Sequence, residues 1–281
     1  VGSAILVPIM TGIIGGVGWQ NAMLGMGAAY AVIVIATGLL LVRFEPAALG
    51  LLPYGLKEGA DAGAAASADV AALPGMAYKS IFKTAAFWLM VLCLLLVGFT
   101  GCINTQINTI AQLSGFSAVV AGFVVTGMSL GNVFGKLILG ALKDKFSGAV
   151  AGLFGAATAV IGIVLFLFGI GGGGDVPMIA GGFICGLGSC LGTMAGPLFV
   201  LDAFGPREYG TILGTMSVFT TVGLALGAPI VSSFYDIGGS YTGALITLLV
   251  CFVLIVPLVF ASIKSGQAIW KKGKAADSDA S

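Results

Sequence analysis

Long, uninterrupted apolar runs constrain the fold of this chain more than any other feature of its sequence. A helix needs about 20 apolar residues to cross a hydrocarbon core of about 30 Å. Eight segments meet or approach that length, at roughly residues 2–18, 21–42, 86–109, 117–141, 149–170, 178–201, 211–233 and 242–263. Because these runs lack the two-residue alternation of barrel strands, they predict transmembrane helices.

Charge is too scarce in this sequence to cover a water-facing surface. Charged residues make up 8% of the chain, whereas soluble domains carry about 25%. We therefore expect an all-α integral membrane protein whose surroundings are the lipid bilayer. The net charge of +1 gives no electrostatic basis for binding nucleic acid. The sequence has no histidine, the commonest metal ligand and general base, and we expect neither a metal nor another cofactor.

Polar stretches divide the apolar runs into four regions. Residues 1–42 predict the last two helices of a truncated N-terminal bundle, since the chain begins inside an apolar run. The segment 43–85 is polar and rich in Ala, Gly and Ser, which predicts a cytoplasmic central loop. Residues 86–264 predict a C-terminal bundle of six helices, and residues 265–281 predict a cytoplasmic tail.

Basic residues fall on one side of this predicted topology. All of the 12 lysines and arginines except Lys136 lie in the loops or at the ends on that side: Arg43, Lys57, Lys79, Lys83, Lys143, Lys145, Arg207, Lys264, Lys271, Lys272 and Lys274. Lysine and arginine concentrate in cytoplasmic loops. We therefore expect a multi-pass protein of the plasma (cytoplasmic) membrane with both ends of this chain in the cytoplasm.

Lys136 is the strongest candidate for a solute-binding residue. A lysine inside a span costs roughly 2.5–3.5 kcal/mol on insertion scales and tends to face a cavity or a partner. On a helix, Ser129, Asn132 and Lys136 form one polar stripe, which suits a carboxylate-bearing solute. The alternative is that Lys136 extends its ammonium group toward the lipid headgroups at the cytoplasmic end of the helix.

Other polar side chains in the spans are further candidates. Asn104, Gln106 and Asn108 lie near the outer end of the third span, where they bridge helices, line a water path or are simply solvated at the interface. Thr215 in the seventh span either contacts solute or bonds to its own helix. The spans contain no acidic residue at depth and no nucleophile motif, so we expect no enzyme activity and no catalytic residue.

Glycines recur at steps of four residues in three of the spans. They are Gly127, Gly131, Gly135, Gly188, Gly192, Gly196, Gly223 and Gly227. Small residues at this spacing let helix backbones approach closely in lipid. The pattern predicts helix packing, either static or in helices that slide against each other during transport.

The loop after the fourth span carries a recognisable motif. Gly140-Ala-Leu142-Lys-Asp144-Lys145 resembles the loop motif of the major facilitator superfamily, Gly-x-Leu-x-Asp-Arg/Lys. The resemblance implies twelve helices in two halves, of which this chain would hold helices five to twelve. The missing N-terminal helices of the same protein would then be a partner of this chain. By resemblance, Gly140, Asp144 and Lys145 would form a gating motif, although a short solvated turn also explains them.

Three further stretches resemble one branch of that family. Residues 131–140, 83–88 and 202–206 are similar to the oxalate/formate antiporter and monocarboxylate-carrier branch, in which a cation of helix eight faces the substrate. That cation aligns with Lys136. The oxalate exchanger type also has a basic residue in helix eleven, and the span at 211–233 has none, which favours a monoanion.

These observations together predict a secondary active transporter of a small organic anion. The solute would be a monocarboxylate, carried with alternating access by antiport or symport. The alternatives are a major facilitator carrier of a different small solute, or a membrane channel or structural subunit.

Overall fold

The computed structural model describes residues 13, 16, 18–40 and 75–279, with side chains described up to residue 269. The chain divides into two units, residues 1–69 and 70–281. In the first unit, helix α1 (Trp19–Leu40) is long and apolar enough to cross a membrane. The predicted span at 2–18 lies almost entirely outside the described residues.

The second unit is built from six membrane-length segments. In order, its helices are α2 (Tyr78–Ile81), α3 (Ala85–Gly101), α4 (Ile103–Leu113), α5 (Ala118–Lys145), α6 (Gly148–Phe168), α7 (Asp175–Ser189), α8 (Leu191–Phe204), α9 (Tyr209–Gly238) and α10 (Thr242–Asp279). Helices α3 and α4 together make one segment, as do α7 and α8. All regular structure among the described residues is helical, which confirms the predicted all-α membrane fold.

Side-chain caps explain where three of these helices begin. The hydroxyl groups of Thr84, Ser117 and Ser147 accept hydrogen bonds from the backbone N–H three residues ahead, at 3.4, 3.3 and 3.4 Å. Each cap satisfies a backbone donor that has no partner within the first helical turn. Ser117, for example, is the cap of α5.

A glycine-rich turn joins α6 to α7 on the side opposite the basic loops. Residues Gly169–Gly173 form a π-helical turn, in which Gly172 has φ of 107°, and Gly174 has φ of 84°. Side chains other than glycine rarely adopt these backbone angles. The turn thus explains the glycines at positions 172 and 174.

Helix α5 packs against α7, and α7 also packs against α6. Helix α3 lies against both α9 and α10, and α10 completes the bundle by packing on α6 and α8. The large buried side chains at these contacts are apolar, for example Phe87, Phe166, Phe199 and Phe252. This packing brings the middles of α3/α4, α5, α7/α8 and α9 to one place.

The segments predicted as central loop and tail pack against the rest of the second unit where they are described. Near the end of the loop, the Met76 N–H donates to the Phe204 carbonyl at 2.9 Å, and the Tyr78 N–H donates to the Glu208 carboxylate at 2.8 Å. Helix α10 continues without a break through residue 279, and the Gln267 amide donates to the Asp202 carbonyl at 3.1 Å. The predicted domain boundaries themselves stay predictions.

Candidate functional site

A pocket of about 280 Å³ lies where the broken helices meet α5 and α9. The break between α3 and α4 is the single residue Cys102, and the break between α7 and α8 is the single residue Cys190; both keep right-handed helical backbone angles, so each pair remains one span. The pocket lies beside both breaks. It is lined by Gly98, Gly101, Asn104, Thr105, Asn132, Ser189, Gly192, Thr193, Thr220 and Leu224.

A chain of hydrogen bonds crosses this pocket from one helix to the next. The Asn132 amide of α5 donates to the Ser189 hydroxyl at 3.2 Å, and the Asn104 side-chain oxygen of α4 lies 3.1 Å from the same hydroxyl. The Asn104 amide in turn donates to the Gly101 carbonyl at 3.2 Å. Because three separate spans supply these groups, packing of the bundle positions the polar network.

Ser189 is the centre of the network and the residue that the sequence analysis missed. Its side chain is buried, with 4% exposure, whereas Asn104 is exposed. The Ser189 hydroxyl has one proton and two acceptors at 3.1 Å, the Asn104 side chain and the Gly186 carbonyl, so it donates to one of them at a time. The sequence signal that could have identified Ser189 is its position as a polar residue in the middle of an apolar span, next to Gly188.

The lining of the pocket is mostly apolar surface with a few polar side chains in it, and none of the lining side chains is charged. Thr105 and Thr193 donate their hydroxyl protons to the carbonyls of Cys102 and Cys190, at 2.8 and 3.1 Å. Their oxygens therefore keep lone pairs that can accept hydrogen bonds. Together with the two carboxamides, the pocket can donate to and accept from a small polar group.

Lys136 lies outside the lining of the pocket. It follows Asn132 by one turn of α5, about 6 Å along the helix axis. Its side chain is exposed, and it makes no hydrogen bond or ion pair with any residue that the structure describes. Ser129, on the same helix, is also exposed. Of the predicted stripe of Ser129, Asn132 and Lys136, only Asn132 lines the pocket.

Three other predicted solute-binding residues lie away from the pocket. Asn108 accepts a hydrogen bond from Gln112 at 3.1 Å on the exposed face of α4. Gln106 donates to the Ser232 hydroxyl at 3.1 Å and so bridges α4 to α9. The Thr215 hydroxyl lies 3.1 Å from the Tyr78 hydroxyl, at the opposite end of the bundle.

The loop motif contains one partner of an ion pair, Lys143, but the acidic residue of the motif, Asp144, is not the other partner. Asp144 and Lys145 are exposed, and open space surrounds the α-carbon of Gly140. Lys143 instead pairs with Asp202 at the end of α8. The Asp202 carboxylate also accepts from the Gly148 N–H at 2.6 Å, at the start of α6. One carboxylate thus joins α5, α6 and α8 on the side of the basic loops.

The eight predicted packing glycines divide into two groups. A Cβ atom on any of six would meet backbone atoms of a neighbouring helix at 3.3 Å or less: Gly127, Gly131 and Gly135 face α7, Gly188 faces α6, Gly223 faces α3, and Gly227 faces the end of α3 and Cys102. The other two face more open space. The nearest atom to a Cβ on Gly192 is the Gly101 Cα at 4.0 Å, and Gly196 would meet the end of the Leu213 side chain at 3.3 Å.

Comparison with known proteins gives a family-level result. A family model described as Major Facilitator Superfamily matches residues 1–173 and, in a second match, residues 100–276. The two matches overlap and together cover nearly the whole chain. A search of curated proteins found no match to this chain.

Proposed function

The chain belongs to the major facilitator superfamily, a family of membrane transporters and not of enzymes, and on that premise we propose that it carries a small organic anion, in particular a monocarboxylate. The proposed mechanism is secondary active transport with alternating access, by antiport or symport. Such carriers bind their solutes near the middle of the membrane, often beside interrupted helices.

The observation that carries this proposal is the pocket that holds the Asn104–Ser189–Asn132 network, with Lys136 one turn away on α5. The network of Asn104, Ser189 and Asn132 offers neutral donors and acceptors to the uncharged part of a solute. An ammonium group nearby would attract the carboxylate as a point charge. Asp144, Lys145 and Gly140 are proposed to act in gating, in the region of the Lys143–Asp202 ion pair.

One observation favours a second candidate, a carrier of an uncharged polar solute. The residues that line the pocket are neutral, and Lys136 is not among them. If Lys136 extends toward headgroups instead of toward the pocket, the site has hydrogen-bonding groups without a cation. The two candidates differ in the role of Lys136, so a variant of this residue separates them.

The first experiment is exchange uptake of labelled monocarboxylates by the full-length protein in liposomes, compared with its Lys136→Gln variant. Loss of a charge-assisted contact of 1.5–3 kcal/mol corresponds to a fall in uptake efficiency of roughly 10- to 150-fold. The matched control is Lys264→Gln, which removes the same charge from an exposed position on α10.

We expect the control to transport at the wild-type rate. Wild-type uptake by Lys136→Gln would contradict the role of Lys136 and favour the uncharged-solute carrier. Equal losses in both variants would show an effect of net charge instead of a specific contact.

A further inference from the structure

Two glycines lie next to each other in the wall of the pocket without being required there by helix packing. A Cβ atom on Gly192 would have the Gly101 Cα as its nearest neighbour, at 4.0 Å. A Cβ on Gly101 would meet the Leu224 side chain at 3.5 Å, which is ordinary van der Waals contact. By contrast, a Cβ on Gly98, in the same wall, would collide with the Thr220 carbonyl. Packing thus explains Gly98 but leaves Gly101 and Gly192 unexplained.

The space that side chains at these two positions would occupy is the pocket itself. Both glycines line the pocket, and they adjoin the two helix breaks at Cys102 and Cys190. Asn104 follows one break by two residues, and Ser189 precedes the other by one. A methyl group at either glycine would therefore narrow the cavity beside the polar network without displacing a helix.

We propose that Gly101 and Gly192 set the size limit of the transported solute, and that this limit selects short-chain monocarboxylates over longer homologues. The inference rests on the proposed anion-carrier function. The uncharged end of the solute packs against the wall that the two glycines form, in a pocket with a volume of about 280 Å³. Longer homologues are rejected because their chains do not fit against the apolar walls at Leu224 and Gly98.

The test is competition of a straight-chain carboxylate series against labelled uptake, in wild type and in Gly192→Ala. One methylene in a close-fitting pocket changes selectivity by roughly 10- to 200-fold. We expect the longest homologue accepted by the wild type to lose at least about tenfold in competition in Gly192→Ala. The shortest homologue should change far less. Gly214→Ala on α9 is the control, because open space surrounds that α-carbon and it does not line the pocket.

An unchanged length profile in Gly192→Ala would overturn the proposal. Equal weakening of every homologue would overturn it as well, because that result indicates a general structural effect. Thermal unfolding of the variant in detergent shows whether it is folded, and we expect a midpoint close to that of the control.

A second measurement does not depend on the identity of the solute. Gly192→Cys is labelled with thiol reagents of increasing size, and wild-type protein gives the background, since its described cysteines are buried and free. We expect a small reagent to react with Gly192→Cys at least about tenfold faster than a bulky one. When Gly101→Ala is added to this variant, we expect the reaction with the small reagent to become slower. Equal rates for both sizes, or no reaction, would refute the size limit. If no carboxylate is transported while labelling depends on size, the anion-carrier proposal fails but the narrow pocket stands.

Discussion

Substitution of Gly131 by valine is expected to destabilise the bundle by about 1–3 kcal/mol or more. Gly131 lies on α5 where that helix passes α7, and a Cβ there would collide with the Phe183 carbonyl and approach the Leu187 nitrogen at 3.0 Å. These are backbone atoms, which cannot move away without shifting a helix. The two helices would have to separate along their contact, with loss of dispersion contacts on both sides.

The matched control is Gly122→Val, on the same helix. No atom lies within 4 Å of a Cβ at Gly122, so valine has the same helix propensity there without the collision. Thermal unfolding of both variants in detergent measures the difference. We expect the midpoint of Gly131→Val to fall and that of Gly122→Val to stay near wild type. Equal midpoints would mean that α5 and α7 are not in close contact at this position.

Asp202→Ala is expected to lower the free energy of unfolding by about 1.5–3 kcal/mol, the range for hydrogen bonds to charged groups. The carboxylate pairs with Lys143 and accepts from the first backbone N–H of α6 at 2.6 Å. The side chains of Lys143 and Asp202 are 18% and 14% exposed, so solvent screens their attraction weakly. Removing the acid leaves a half-buried ammonium group without its partner.

Asp144→Ala provides the comparison, because Asp144 is the acid of the loop motif and is exposed. Surface substitutions of this kind usually change stability by less than about 0.5 kcal/mol. Chemical denaturation of both variants in detergent gives the two values. A larger loss in Asp144→Ala than in Asp202→Ala would contradict the assignment of the structural ion pair to Asp202.

Hydropathy was enough to predict the membrane spans, because lipid requires that every backbone polar group be satisfied within the helix. Several described helices extend the predicted spans at both ends, for example from 178–201 to Asp175–Phe204. Helical hydrogen bonding continues past the apolar run until a cap or a turn ends it. The breaks at Cys102 and Cys190 carry no proline signal, so apolar length alone did not reveal them.

The candidate site was predictable in residue type but not in partners. Asn104 and Asn132 were predicted from separate stripes, and their connection through Ser189 depends on how three spans rotate and pack. The same limit applies to Gln106, whose polarity is satisfied by Ser232 of α9 instead of by the pocket. A polar side chain within a span needs a hydrogen-bond partner, and the packing of the helices decides which residue provides it.

The loop motif illustrates a related limit. Resemblance pointed to Asp144, but successive residues on a helix are rotated by about 100°, so Lys143 and Asp144 face different directions. Lys143 reaches Asp202, and Asp144 stays exposed. The motif in the sequence therefore located the region of the ion pair, but the geometry of the helix was needed to identify which residues form it.

Counterflow tests most directly the proposal that this chain carries a small carboxylate. Liposomes containing the full-length protein are loaded with an unlabelled short-chain monocarboxylate and diluted into a trace of the labelled compound. A carrier exchanges one for the other, so we predict that label transiently accumulates above its equilibrium level. Uptake that rises to equilibrium without this overshoot, or no uptake of any monocarboxylate, would contradict the claim.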